Sequence, residues 1–176
     1  IYYSKLMKLK YFYYLMPIII GFFVCSTTGQ IKKKSTPIEF KIVEAKIGKI
    51  IKKSKVYETP PWGYIEQENF LNQVLMAKTY LEPLPLLKHL KRLEVALGRK
   101  ASFQNGPRLI DMDILFYDDL IFESPELTIP HPRVHERGFV LLPMMDIAPD
   151  FIHPGKQKSV RDLIAGCDLR GIVQIV

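Results

Sequence analysis

Asp111 and Asp113 stand on either side of Met112 in the apolar run Ile110-Asp111-Met112-Asp113-Ile114-Leu115-Phe116-Tyr117, which follows the turn Asn105-Gly106-Pro107-Arg108. Side chains alternate along a strand, so Asp111, Asp113, Leu115 and Tyr117 are expected on one face and Ile110, Met112, Ile114 and Phe116 on the other. The second face is wholly apolar and must bury against another layer, which leaves the two aspartates pointing together on the opposite side of the sheet. Two carboxylates that close raise each other's pKa unless a cation lies between them, and a hard divalent cation with oxygen ligands is the usual answer. An Asp-x-Asp pair on a solvated strand face is the plain alternative. Arg108 weighs against it: held by Gly106-Pro107, it brings a phosphate-binding guanidinium to the same strand end.

Other residues carry a plain and a functional reading side by side. His131 and His135 have the spacing of two ligands on one helical face, but Pro132 argues against a helix there, and His135 is read as structural. Trp62, Phe70 and Phe139 taken singly would be core aromatics. Arg99, Arg108 and Arg137 could be surface charges, and Glu94 a solvated helix residue.

The elements that position these residues follow from periodicity. Phe70 to Leu81 alternates as a strand, with Phe70, Asn72, Val74 and Met76 on one side and Leu71, Leu75 and Ala77 on the other. Pro83 and Pro85 open a helix whose Leu86, Leu90, Leu93 and Leu97 recur at helical spacing, and Gly98 closes it. Lys49 to Glu58 reads as one lysine-studded strand near an edge, ended by Thr59-Pro60-Pro61-Trp62-Gly63. Ser35-Thr36-Pro37 starts a helix that Gly48 stops. Residues 99–107 form a polar loop able to close over a ligand. Beyond Pro130 come a proline-bounded loop, a short apolar helix around Phe139 to Met145 and a helix near Ser159 to Ala165.

Residues 1–25 admit several readings: a signal or membrane anchor over residues 11–25, an irregular extension over 1–15, or a buried strand from Ile18 to Val24. The strand is preferred, because Pro17 and Gly21 interrupt a helix and a sheet around the aspartate strand needs a further member. The resulting order, strand, helix, strand, strand, helix, strand, is that of an α+β fold, a ferredoxin-like sandwich with an antiparallel sheet. One domain over residues 16–176 suits the length of 176 residues. Cys25 and Cys167 are too few for a zinc site or a disulfide framework. The formal charge of +7 suggests nucleic acid, yet residues 1–56 hold 12 lysines against Glu39 and Glu44, a net +10. The remaining 120 residues hold 13 basic and 16 acidic side chains, a net −3, so nucleic-acid binding is not expected.

Gly106-Pro107-Arg108 with Asp111-Met112-Asp113-Ile114-Leu115 resembles the core motif of the 6-hydroxymethyl-7,8-dihydropterin pyrophosphokinase family of folate biosynthesis. Further blocks agree in order and spacing: Tyr57 to Gly63, Asn69-Phe70-Leu71-Asn72, Glu94 with Gly98-Arg99, and Ile129-Pro130-His131-Pro132 with Arg137-Gly138-Phe139. The resemblance implies transfer of pyrophosphate from ATP to the hydroxymethyl group of the pterin, releasing AMP, with two Mg²⁺ held by Asp111 and Asp113. It implies Arg99 and Arg108 as catalytic cations, and Glu94, Arg99, Arg108, Ile114, His131 and Arg137 around ATP. Thr59, Pro60, Trp62, Phe70, Asn72 and Phe139 would enclose the pterin. The partners implied are these small molecules, for a cytoplasmic monomer with no nucleic acid and no membrane. The family's Gly-Ser-Asn-x-Gly-Asp loop corresponds here to Cys25-Ser26-Thr27-Thr28-Gly29-Gln30, matching only at Ser26 and Gly29. That divergence motivates the rival reading of an inactive nucleotide- or pterin-binding protein.

Overall fold

The computed structural model describes the backbone of residues 18–27 and, with side chains, residues 44–61, 66–99 and 110–175. The helix expected from Ser35 is described only at its end, a turn over residues 44–47 that stops at Gly48. Gly48 has φ +130°, and a Cβ there would overlap the Lys78 carbonyl oxygen, so only glycine fits. The extension over residues 1–15 lies outside the described residues.

Among the described residues the main sheet has six strands. β1 (Ile18–Thr27) lies between β4 (Phe70–Lys78) and β5 (Asp111–Ile114), and the far side of β4 is lined by β2 (Lys49–Lys53) and β3 (Tyr57–Thr59), with β8 (Val173–Gln174) outside β3. Every pairing is antiparallel. With β2 and β3 taken as one broken strand, the order is that of a ferredoxin-like sheet, with the segment from Ile18 at its centre. Across Gly21 the β1 register against β4 shifts by a residue, a bulge that glycine tolerates. A separate hairpin pairs β6 (Phe122–Glu123) with β7 (Thr128–Ile129). No helix among the described residues is long and apolar enough to cross a membrane.

α1 (Pro83–Ala96) covers one sheet face with Leu86, Leu90 and Leu93, which pack on Leu75, Ala77, Met112 and Ile114. α2 (Gly138–Ile147) and α3 (Val160–Ile164) serve the other face, where Val140, Leu141, Met144 and Val160 join Val74, Leu115 and Phe116. The strand alternation expected for β4 therefore holds: Val74 and Met76 meet α2, Leu75 and Ala77 meet α1.

Two expectations need correction. The aspartate strand ends at Ile114, and its alternation ends there too: Phe116 joins the α2-side core with Leu115, while Tyr117 turns to the α1-side core and donates to the Leu81 carbonyl at 3.0 Å. The strand expected from Lys49 to Glu58 is broken at residues 54–56 because Ser54 replaces ladder bonds with its own groups. Its N–H donates to Val74 O, and its hydroxyl accepts the Val74 N–H, both at 2.9 Å.

α2 is fastened to the far strands by Asp146. Its carboxylate accepts the Tyr57 hydroxyl at 3.0 and 3.2 Å and the Lys55 N–H at 3.0 Å, while Lys52 Nζ donates to the Ile147 carbonyl at the helix end at 3.0 Å. Burial first, then the hydrogen bond to Asp146, pushes the Tyr57 phenol up to about 12 from 10.0. A raised folded-state pKa means the contribution is complete below pH 10 and fades as pH climbs toward 12. Tyr57→Phe should therefore destabilise the protein by about 1–2 kcal/mol at neutral pH. In urea titrations the gap between wild type and Tyr57→Phe should close as pH is raised from 9 toward about 12; a gap that widens instead would refute this role.

Candidate active site

Register sets the layout. Asp111 lies opposite Cys25, Cys25 opposite Asn72, and Asn72 opposite Tyr57. Paired residues share a face, so Asp111 and Asn72 sit on the α2 side two strands apart, about 10 Å at ordinary strand spacing. Asp113 follows on that face, opposite Phe23.

The two carboxylates converge. Lys91 reaches round the edge strand from α1, and its Nζ lies 3.5 Å from Asp111 Oδ1 and 3.6 Å from Asp113 Oδ1. The same ammonium donates to Glu94 Oε1 at 2.8 Å and to the Met112 carbonyl at 3.0 Å. Glu94 is 1% exposed, accepts the Met112 N–H at 2.6 Å and is paired through its other oxygen with Arg99. Both outward-facing backbone groups of Met112 are thus taken by α1 side chains, which closes the sheet edge there. Burial alone would lower the Lys91 pKa, but the bond to Glu94 and the charges of Asp113 and Asp111 raise it above its usual value.

Arg99 is aimed by the end of α1. The Gly98 N–H donates to Val95 O at 3.0 Å and the Arg99 N–H to Glu94 O at 2.9 Å, with Gly98 at φ +101°, a Schellman turn. The chain reverses there, and the Arg99 guanidinium folds back onto Glu94 and onto Asp111 Oδ1 at 2.8 Å.

His131 and Arg137 approach from the loop before α2. His131 donates its N–H to the Leu115 carbonyl at 2.8 Å, and its Nδ1 accepts the Arg133 N–H at 3.2 Å, which leaves Nε2 to carry the ring proton. Burial, then the charge of Arg137, holds its pKa below 6.5 against the pull of Asp113, so the ring is neutral at pH 7. Burial also lowers the Arg137 pKa, opposed first by Asp113; its guanidinium lies 5.7 Å from the centre of the Phe139 ring.

At the other end of the row Asn72, 1% exposed, donates to Thr59 Oγ1 at 2.6 Å. Its carboxamide oxygen is buried with no hydrogen-bond partner among the described residues, which costs about 1–3 kcal/mol unless a ligand donates to it. Thr59 is buried, Phe70 is half-buried at the start of β4, and Pro60 is exposed.

Of the residues singled out from sequence, Asp111, Asp113, Glu94, Arg99, His131 and Arg137 gather at one end of this face, and Asn72, Thr59 and Phe70 at the other. Trp62 and Arg108 lie outside the described residues. The Ile114 side chain is 2% exposed in the α1-side core, on the face away from the aspartates, because it alternates with Asp113, which leaves its backbone as the part that could meet ATP. Lys91 was missed. Its helical spacing to Glu94 is a surface ion-pair pattern in sequence, and nothing local reveals that β5 lies within reach.

The converging Oδ1 atoms fit a divalent cation in kind, being hard anionic oxygens that already share one positive charge. No three His, Cys, Asp or Glu side chains cluster as metal ligands among the described residues. Further ligands would be phosphate oxygens and water, as is usual for Mg²⁺.

The family model described as 7,8-dihydro-6-hydroxymethylpterin-pyrophosphokinase (HPPK) matches residues 26–149. The chain is 50% identical over 101 residues to the folic acid synthesis protein FOL1 of Dictyostelium discoideum, covering 57% of this chain and 15% of that protein. It is 45% identical over 113 residues to the 2-amino-4-hydroxy-6-hydroxymethyldihydropteridine pyrophosphokinase of Aquifex aeolicus, covering 64% of this chain and 71% of the relative. The fold matches wild-type Plasmodium falciparum HPPK-DHPS, solved with pterin and p-hydroxybenzoate, at a TM-score of 0.66 and 20% identity, over 85% of this chain and 43% of that one. The chain thus spans a small part of FOL1 and less than half of the HPPK-DHPS chain, but most of the bacterial enzyme. With the matched segment running from the end of β1 through α2 and holding both ends of the site, the chain belongs to the 7,8-dihydro-6-hydroxymethylpterin-pyrophosphokinase family.

Proposed function

We propose that this chain is an ATP-dependent diphosphokinase of folate biosynthesis that transfers pyrophosphate from ATP to 6-hydroxymethyl-7,8-dihydropterin. The observation that carries this reading is the single row across one sheet face, with converging carboxylates ringed by cations at one end and, at the other, a buried amide oxygen lacking a partner among the described residues. The separation of about 10 Å suits a flat bicyclic ring whose hydroxymethyl arm points toward a triphosphate. The pterin hydroxyl oxygen attacks the β-phosphorus and gives up its proton to solvent, the bond from that phosphorus to the α-phosphate oxygen breaks, and AMP leaves.

Asn72, Thr59 and the backbone at Pro60 bind the polar edge of the pterin, and Phe70, Phe139 and Trp62 cover its faces. Arg99, Arg108 and Arg137 neutralise the triphosphate, with neutral His131 donating from Nε2, and Glu94 holds Arg99 in place. Asp111 and Asp113 would hold two Mg²⁺, which supply positive charge to the phosphate oxygens and acidify the substrate hydroxyl. Positioning and charge suffice, and no covalent intermediate is needed. The scheme places this activity in a monomer, with cytoplasmic ATP as the supply.

AMP release from ATP, followed chromatographically with and without the pterin alcohol, tests the activity; release that does not depend on the pterin, or none at all, favours a different transferase or the inactive binder. Asp111→Ala and Asp113→Ala should each lower turnover by about 10³-fold or more while far-UV dichroism stays native, since neither carboxylate belongs to the apolar core. Retained turnover in either variant would remove the metal assignment. Phe70→Ala and Asn72→Ala should raise KM for the pterin about tenfold or more and leave KM for ATP within about twofold. Equal loss for both substrates would show that the face is not divided in this way.

A further inference from the structure

Lys91 lies on the helix that covers the opposite sheet face, yet its ammonium stands at the point where Asp111 and Asp113 converge. Its nearest contacts, Glu94 at 2.8 Å and the Met112 carbonyl at 3.0 Å, anchor it beside the strand edge. We propose that Lys91 competes with the divalent cation for the Asp111 and Asp113 carboxylates, so that cation binding becomes tight only when nucleotide phosphates draw the ammonium away. This rests on the reading that those aspartates hold the metal.

A cation bound through both carboxylates at ordinary Mg²⁺ distances of about 2.1 Å would lie close to Nζ. Like-charge repulsion at about 4 Å is strong enough to weaken binding tenfold or more, even with solvent screening of a side chain that is 41% exposed. Both cations are paired with Glu94, but Arg99 is in addition aimed by the Schellman turn at the end of α1, so Lys91 is the more movable of the two. Lys91 hangs on a flexible four-carbon stem at the surface, and incoming phosphates offer its ammonium several new anionic oxygens. The residue is thereby a positioning residue for the cation, coupling its binding to that of the nucleotide.

Mn²⁺ titrated into the full chain and followed by electron paramagnetic resonance tests this. Without nucleotide, Lys91→Met should bind Mn²⁺ about tenfold or more tighter than wild type, and Lys91→Arg no tighter. With a non-hydrolysable ATP analogue present the difference should shrink to about twofold or less. Lys91→Gln, which keeps a donor for Glu94, serves as a second neutral variant, and thermal melts establish that each is folded. Equal or weaker Mn²⁺ binding by both folded neutral variants without nucleotide overturns the competition. If Asp111→Asn at the same time loses Mn²⁺ in the presence of the analogue, the metal assignment stands alone. Mn²⁺ binding that survives both Asp111→Asn and Asp113→Asn overturns the assignment and the competition together.

Discussion

Three carboxylates have to be held within one short stretch of sheet edge, and the rest of the site depends on how their repulsion is offset. Glu94, Asp111 and Asp113 are answered by Lys91 and Arg99, with Arg137 near enough for its charge to be felt by both aspartates. Glu94 is the most constrained of the three: at 1% exposure its charge is tolerable only because an ammonium, a guanidinium and the Met112 N–H all point at it. That arrangement binds α1, β5 and the start of the following loop into one rigid unit. A phosphate-rich ligand would meet an Arg99 guanidinium whose geometry is already set.

The sheet acts as a partition between an apolar side and a chemical side. On the α1 side Leu86, Leu90 and Leu93 form an apolar core with Leu75, Met112 and Ile114, and burial of this kind supplies the larger share of the stability. On the α2 side the core is confined to the middle of the face, around Val74, Leu115 and Phe116. Asp111 and Asn72 stand on the same face beside it. The helices of the C-terminal third lie on this second face, and Asp146, bonded to Tyr57 and Lys55, keeps α2 aligned with the strand that leads into Thr59.

The end of the chain also bears on the site. β8 pairs with β3 one residue before Thr59, and a Cβ on Gly171 would press on the Pro60 ring at 3.2 Å. The turn at Gly171, with φ +76°, therefore packs directly under the loop that leaves β3. These contacts lie beyond the matched segment, which ends at residue 149.

Period and turn chemistry in the sequence were sufficient for the ferredoxin-like order, for the two faces of β4, for α1 and its Gly98 stop, and for placing both aspartates on the face away from the apolar core. These are local properties, settled by the alternation of a strand, the repeat of a helix and the φ that only glycine reaches. Other features were decided by neighbours distant in sequence. Tyr117 leaves its expected face because Leu81 offers its hydroxyl an acceptor, and Ser54 breaks a strand because its hydroxyl can replace a ladder bond to Val74. Glu94 and Lys91 look like an exposed helical ion pair until β5 is laid beside α1, when the glutamate becomes a buried cap for Met112 and the lysine a bridge between two carboxylates. Charge–charge and hydrogen-bond partners across a sheet edge leave no periodic trace in either segment, so only the tertiary structure could bring them together.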